Sequence, residues 1–548
     1  TVNDRDDIQT VLVTGAAGGV GRHVVRQLLD AGYEVRAVDR IGADAVELYG
    51  LFDPIADVDW RQAELLAADL QALVERCDAV IHTAAWVSLS ETYRELVGVN
   101  VELVEKLYRA ADRAGVRQVV HFSCGTFYQG GRGLRVEHDV TEPTNAFEQT
   151  KLDSEAALQE AGEVGEARWT ILRPSLIYGP HCRNMGSGMI TLPAILRGFM
   201  PYLPGLTGGP RTNWCHVEDA ARAALTVLGN QDALGQTYNV ADDTPLGFGE
   251  VITSITEAYG LEVGPLVPFP NTRLWSLLSP LVDRDWAFGA LRQLLRGLWR
   301  RLQEKHGLDS PLRPRVDRNA LFYVENDSIL GSDALKGLGW EPEYPDFRAG
   351  IVDTVRWYQA RGWAPRFDSG SQMRRMDTRE NVGFGFHERL DGRWRPDNTS
   401  PWRDAELELD VRFANVERWA FELEGHVDGR LSLEGIAEEA DVRGTLEIRL
   451  LGGRCVGYEM GFESQDGMPH RLSAVRKLRV IDPVESLTSI GGVVVGPRGE
   501  HVGDIELRFD MADELAPLLM SLHLVGRDDA AELTSQTDLT RDPTRAAP

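Results

Sequence analysis

Gly15, Gly18 and Gly21 recur every third residue in Val11-Leu-Val-Thr-Gly-Ala-Ala-Gly-Gly-Val-Gly21, a spacing suited to one chemistry, the cradling of a pyrophosphate. The first glycine permits a tight turn, the second lets the backbone approach the phosphates, and the third lets a helix pack closely on a strand. A helix start behind the loop supplies N–H groups and the positive end of a dipole. Thr14, Gly19 and Val20 complete this predicted loop. Asp39 lies 18 residues beyond Gly21, where a carboxylate can accept hydrogen bonds from an adenosine ribose. A carboxylate repels a 2′-phosphate, so the expected cofactor is NAD; Arg40 beside it speaks for NADP.

Such a loop works only where a strand ends and a helix begins. Residues 11–13 form a short apolar run, and Val24, Val25, Leu28 and Leu29 recur at helical spacing. Residues 34–39, 79–82 and 118–123 read as further strands, with a helix over 99–114 between the last two. This alternation predicts parallel βαβ units and an α/β, doubly wound, Rossmann-like sheet within residues 1–365. Longer insertions place a small substrate lobe mostly within 180–345, and 350–359 reads as the last αβ-like piece. Residues 366–380 are polar and aperiodic, a predicted linker. Beyond it the period becomes two. Residues 405–413, 430–434, 445–450 and 504–509 alternate polar and apolar, which predicts a separate β-rich domain over 381–527. A helix is expected over 512–521 and a loose tail over 528–548.

From about Gln9 to Ala360 the chain resembles the extended short-chain dehydrogenases/reductases, relatives of NAD-dependent epimerases, dehydratases and 3β-hydroxysteroid dehydrogenases. Besides the glycine loop, the matching segments are Ala68-Asp-Leu70, His82-Thr-Ala-Ala85, Asn100 at a helix start, Arg173-Pro-Ser-Leu-Ile-Tyr-Gly-Pro180, His216-Val-Glu-Asp219 and Leu338-Gly-Trp-Glu-Pro342. The resemblance implies cofactor contacts at Asp69, Leu70, Thr83, Ala84, Ala85, Asn100, Lys151 and Pro174. It also implies a Ser–Tyr–Lys mechanism. The tyrosine is the general acid/base, the lysine holds the nicotinamide ribose, and the serine binds the substrate oxygen. Here the tyrosine–lysine motif reads Phe147-Glu-Gln-Thr-Lys151, and Cys124 stands at the aligned serine position with Ser123 one place earlier.

A phenyl ring cannot transfer a proton, and a positioned acid–base group contributes about 10²–10⁴-fold. The candidate substitutes are Lys151 itself, if desolvated, with Ser123, Cys124 and Thr126 as contacts to substrate. Tyr128 belongs to the neighbouring segment and is not expected to move the proton. Only five lysines occur in 548 residues, so one at position 151 by accident is about a one in a hundred event. The cofactor site therefore reads as kept. Two functions follow. One is an NAD(P)-dependent oxidoreductase or epimerase/dehydratase-type enzyme with a non-standard acid/base, acting on a lipid-, steroid- or sugar-like alcohol or ketone. The other is a catalytically degenerate cofactor-binding scaffold or sensor whose β-rich domain binds a partner or lipid. His82, His216 and Tyr178 are expected to serve a strand end, a helix start and a loop.

Composition narrows the field. A chain of 548 residues exceeds the ~250–300 that one core serves, so at least two domains are expected. The 58 basic and 84 acidic residues give a net charge of −26, which disfavours nucleic acid as a partner. Cys77, Cys124, Cys182, Cys215 and Cys455 show no paired spacing, so neither a disulfide framework nor a metal site is predicted. The acidic opening TVNDRDD is unlike a targeting peptide, and no long apolar run is present, so a cytoplasmic location is expected.

Residues 286–305 are the local exception in charge. Phe288, Leu291, Leu294, Leu295, Leu298 and Leu302 share one helical face, and Arg292, Arg296, Arg300, Arg301 and Lys305 the other. Such a helix covers the substrate pocket or docks the second domain; the competing reading is peripheral contact with an anionic membrane or a lipid-like substrate. A homodimer face is expected on the helix over 99–114. Residues 383–392, 477–483 and 504–525 resemble a module attached to some bacterial sterol oxidases of the glucose–methanol–choline type, which implies lipid or partner binding.

Overall fold

Seven parallel strands form the main sheet of the first unit. Their spatial order is Gln236–Val240, Arg168–Pro174, Gln118–Phe122, Ala79–His82, Thr10–Thr14, Glu34–Asp39, Val58–Gln62. Every residue of Ala79–His82 and Gln118–Phe122 is buried, as a parallel sheet covered on both faces requires. Alternate residues of one strand feed the two cores. Val11 and Val13 pack with helices Gly19–Asp30 and Val217–Val227 through Val24, Val25, Leu28, Ala220 and Ala224. Leu12 packs on the other side with Leu103, Val104 and Leu107 of helix Leu103–Arg113 and Leu158 of helix Ala146–Val164.

The structure, a computed structural model, describes residues 8–42, 58–128, 133–183, 186–197, 203–269, 285–314, 326–367, 383–397, 399–413, 422–449, 455–477 and 488–510, with a few positions between 514 and 525. The strands expected at 34–39 and 79–82 have those bounds, and that at 118–123 ends at Phe122. Strands Val58–Gln62, Arg168–Pro174 and Gln236–Val240 join them without a clear pattern of their own. The helix expected over 99–114 is Leu103–Arg113, entered from helix Tyr93–Val97 through a π-turn at Gly98–Glu102. Most of the proposed linker, most of the helix over 512–521 and the tail fall outside the described residues.

The second unit contains a closed barrel. Strands Gly383–Arg395, Arg403–Phe413, Glu422–Leu433, Ala437–Arg449, Cys455–Glu463, Pro469–Lys477, Ser489–Val495 and His501–Arg508 pair antiparallel in chain order. The first also pairs with the eighth, so no edge remains between them, and short strand His523–Val525 adds to the start of the first. Strand Arg403–Phe413 shows why the sequence folds this way: Ala405, Leu407, Leu409, Val411 and Phe413 are buried, and the residues between them face outward. Outward ion pairs such as Arg393–Glu506 and Arg389–Glu406 cover the other face.

The basic segment is one helix, Asp285–His306. Leu295, Trp299 and Leu302 of its apolar face are buried, and the Trp299 indole N–H donates to the Leu312 carbonyl at 2.9 Å. Arg296, Arg300, Arg301 and Lys305 are exposed. Among the described residues no helix is long and apolar enough to cross a membrane.

Candidate active site

The glycine loop closes on itself. Gly15 has φ +69°, and a Cβ there would stand 2.8 Å from the Ala84 backbone. A Cβ on Gly21 would lie 2.1 Å from the Gly15 carbonyl oxygen, so only glycine lets the helix start this close to the strand. Asp39 ties the loop down: its Oδ2 accepts from the Ala17 N–H at 3.0 Å and its Oδ1 from the Ile41 N–H at 3.1 Å. Thr83 Oγ1 donates to the Thr14 carbonyl at 2.8 Å, joining the neighbouring strand ends. Helix Gly19–Asp30 begins with no side-chain cap and no acidic residue in its first turn. This cradle fits a dinucleotide pyrophosphate, with Gly15 to Gly21 around the phosphates and Asp39 at the ribose edge. Gly21→Ala is expected to weaken NAD binding at least tenfold by calorimetry. It should also cost ~1–3 kcal/mol of stability in thermal or denaturant unfolding, as overpacking does.

The remaining predicted cofactor residues are placed as follows. Val20 packs partly buried against the core behind the loop, and the Arg40 carbonyl accepts from Gln62 Nε2. Asp69 caps the short helix Leu70–Val74, its Oδ1 accepting from the N–H groups of Gln71 and Ala72. Ala84 lies under Gly15, and Ala85 follows it in the same half-buried turn. Asn100 sits inside the π-turn rather than at a helix start. Its Oδ1 accepts from Trp86 N–H at 2.8 Å, and its Nδ2 donates to the Trp86 carbonyl and to Thr150 Oγ1. It thus clamps the turn after the Ala79–His82 strand to the helix that carries Lys151. Pro174 ends its strand and accepts from the Gly125 N–H at 2.7 Å.

Helix Ala146–Val164 is capped by Asn145, whose side chain accepts from Glu148 N–H. Phe147 and Lys151 are four residues apart and so share a face. The Lys151 ammonium is 2% exposed and donates to the Phe122 carbonyl at 2.6 Å. Burial pulls its pKa down to about 8, against the opposing influence of Cys124 and Glu155. Phe147 packs with Leu89, Leu96, Cys124 and Phe127 in one buried apolar cluster. The thiol of Cys124 accepts from Thr126 Oγ1 at 3.6 Å, and burial pushes its pKa up to about 12, so it is no thiolate nucleophile. Ser123 Oγ is buried with no hydrogen-bond partner among the described residues.

A histidine pair lies beneath Lys151. His82 and His121 are register partners on adjacent strands, with rings stacked 5.5 Å apart. His82 Nδ1 bonds Thr14 Oγ1 at 2.7 Å. Ser154 Oγ donates to the Lys151 carbonyl at 2.6 Å, so its bond with His121 Nε2, at 2.9 Å, must be one that it accepts. Burial, then the Lys151 charge, pushes His82 down to about 3 and His121 well below its ordinary value. Both rings are therefore neutral near pH 7, which leaves Lys151 as the group here that titrates close to it.

Tyr128 is fully engaged. Its hydroxyl donates to Asn239 Oδ1 at 2.7 Å and accepts from Arg173 Nη1 at 2.8 Å. Tyr178 packs against the rings of Trp214, His216 and Phe347, and His216 caps helix Val217–Val227. The structure thus gathers Thr14, the glycines, Thr83, Ala84 and Asp39 at one end of the sheet. It sets Lys151 against the end of strand Gln118–Phe122, immediately before Ser123. No described hydrogen bond joins Asp69 or Leu70 to the loop. His121 and Glu155, the partner of Arg173, were missed by sequence reading; for His121 the available signal was a polar residue within the predicted strand 118–123.

The strand order 3-2-1-4-5-6-7 with a glycine loop at the reversal defines a dinucleotide-binding Rossmann-type unit. Residues 11–241 match the NAD dependent epimerase/dehydratase family, in line with the resemblance of this part of the chain to the extended short-chain dehydrogenases/reductases. The 3 beta-hydroxysteroid dehydrogenase/Delta 5→4-isomerase of Mycobacterium tuberculosis is 27% identical over 367 residues, 64% of this chain and 91% of that protein. Sterol demethylase protein B of Methylococcus capsulatus is 40% identical over 177 residues, 31% of this chain and about half, 52%, of the relative. Among solved structures, dTDP-glucose 4,6-dehydratase from Streptomyces venezuelae covers 65% of this chain and 99% of its own, at 22% identity and a TM-score of 0.49.

Proposed function

We propose that the first unit is an NAD-dependent oxidoreductase for the hydroxyl or ketone of an apolar, steroid-like substrate, with Lys151 Nζ as acid/base in place of the missing tyrosine. The observation that carries this reading is a lysine buried to 2% exposure, with its pKa drawn to about 8, beside an apolar wall of Phe147, Cys124, Phe127, Leu89 and Leu96. A sugar would leave its hydroxyls unpaired against that wall, whereas a fused-ring or long-chain substrate gains from burial there. The relatives named for hydroxysteroid and sterol chemistry support the same class. Asp39 supports NAD over NADP, since a 2′-phosphate would meet its carboxylate.

When bound, the nicotinamide supplies the hydride acceptor. In the alcohol-oxidising direction the hydroxyl proton passes to neutral Lys151 Nζ while Ser123 Oγ, otherwise unpartnered, orients the substrate oxygen. The pH dependence follows with a definite sign. Oxidation needs neutral Nζ, so its rate should rise through pH of about 8 and level above it; ketone reduction needs the ammonium and should fall through the same pH. Initial rates with a 3β-hydroxysteroid, read by NADH absorbance from pH 6 to 10, check both limbs. In Phe147→Tyr a phenol can take over the proton, and oxidation at pH 7 should increase by about a hundredfold. The second reading, cofactor binding without turnover, is favoured by Phe147 filling the tyrosine position. It replaces the first if wild type shows no rate at any pH and only Phe147→Tyr turns over.

A further inference from the structure

The helix Asp285–His306 carries a charge opposite to that of the chain as a whole. In its described part Leu295, Trp299 and Leu302 are buried, while Arg296, Arg300, Arg301 and Lys305 are exposed. At 3.6 residues per turn the four cations spread over about half of the circumference, centred opposite the buried three. Successive cations are separated by no more than ~6 Å of rise, within one screening length at physiological salt, so they act together. Glu304 is the one acidic residue exposed among them. The net charge of the chain is −26, which makes this face a local reversal of sign.

Stability gives no reason for it. Arg296 with Arg300, and Arg301 with Lys305, are like charges four residues apart, a spacing that destabilises a helix. Elsewhere the chain uses that spacing for opposite charges: Lys106 pairs with Glu102 and Arg109 with Glu105. None of the four cations makes an ion pair among the described residues. The exposed side of a single helix is convex, so it does not enclose a small anion; it fits an extended surface that carries many. A nucleic-acid duplex has one charge per ~1.7 Å and strongly repels a chain of net −26. A bilayer dilutes its charge with neutral lipid, and its anionic lipids can diffuse to the patch. Clusters of four or more Lys and Arg on an amphipathic helix suit such a surface.

We propose that Arg296, Arg300, Arg301 and Lys305 form a docking face for an anionic lipid bilayer. With Leu295, Trp299 and Leu302 buried, this part of the helix keeps no apolar side to insert, so the contact is electrostatic, peripheral and reversed by salt. It does not depend on the reaction proposed for the first unit. The test is co-sedimentation of the full chain with phosphatidylcholine vesicles, with and without added phosphatidylglycerol, beside duplex DNA binding at the same salt. Partition onto the anionic vesicles should exceed that onto the neutral ones at least tenfold, since each cation near such a surface contributes about fivefold. The variant Arg296→Gln/Arg300→Gln/Arg301→Gln/Lys305→Gln should lose this preference and keep the unfolding midpoint of wild type. Glu304→Gln removes the opposing charge and should strengthen binding by about fivefold. The proposal is overturned by equal binding to both vesicle types or by binding that survives ~1 M NaCl, where the screening length is about 3 Å. It is also overturned by undiminished binding of the four-site variant, or by duplex DNA binding more tightly than the anionic vesicles. If the four-site variant does not fold, Glu304→Gln decides, and no gain in that variant overturns the assignment. A protein that docks on anionic vesicles yet oxidises no steroid fails the proposed reaction and leaves this face standing.

Discussion

Lys151→Met is expected to lower steroid oxidation by about a hundredfold or more while leaving the protein at least as stable at pH 7. The two effects have one cause. The ammonium is buried with a single described hydrogen bond, to the Phe122 carbonyl, and its pKa falls from 10.5 to about 8. A folded pKa below the unfolded one means that the charged form opposes folding. That penalty, ~3 kcal/mol for a difference of this size, is fully present below pH 8 and is relieved as the pH rises from 8 toward 10.5. Methionine fills the same space without the charge, so its unfolding free energy should exceed that of wild type at neutral pH and lose this advantage by pH 10.5. Denaturant unfolding at several pH values, alongside NADH-monitored rates, reads both. A variant as active as wild type would remove Lys151 from the chemistry. A variant inactive but equally destabilised at every pH would make its role structural.

Arg173→Met should be the more damaging change to the fold, costing about 3–5 kcal/mol, as removal of one partner from a buried pair does. Arg173 donates through Nε and Nη2 to Glu155 at 3.0 and 2.6 Å, and through Nη1 to the Tyr128 hydroxyl and the Glu137 carbonyl. Its guanidinium also lies over the rings of Phe127 and Tyr128. Glu155 is 2% exposed, so the substitution strands a carboxylate in the interior. The double variant Arg173→Met/Glu155→Met should recover most of the loss. Calorimetric unfolding of the two variants tests this; equal midpoints for wild type and Arg173→Met would show that the pair holds nothing. Activity should fall with the fold, because Pro174, next in the chain, receives the Gly125 N–H two residues from Ser123.

Much of this was readable in advance where the physics is local. The glycine loop, the strands at 34–39 and 79–82, and the phenylalanine at position 147 depend on spacing over a few residues. The alternation of residues 405–413 likewise announces a strand with one buried face. Less was readable where partners are remote. His121 is unremarkable within its strand, and only the parallel register with Ala79–His82 stacks it on His82 beneath Lys151. The strand Glu422–Leu433 was visible only at its end, because Gly425 and Gly429 interrupt its apolar alternation.

By itself the sequence determined a dinucleotide loop, its acidic partner, a lysine kept without its tyrosine, and a change of period from helix-and-strand to strand alone. These follow from backbone conformation and side-chain periodicity, which act between near neighbours. Tertiary structure decided what surrounds them. Burial sets the Lys151 pKa, strand register supplies its neutral histidine neighbours, and closure of the barrel brings Glu388 to Arg476 from 88 residues away. Desolvation and long-range pairing are properties of the folded interior, and no local pattern in the chain carries them.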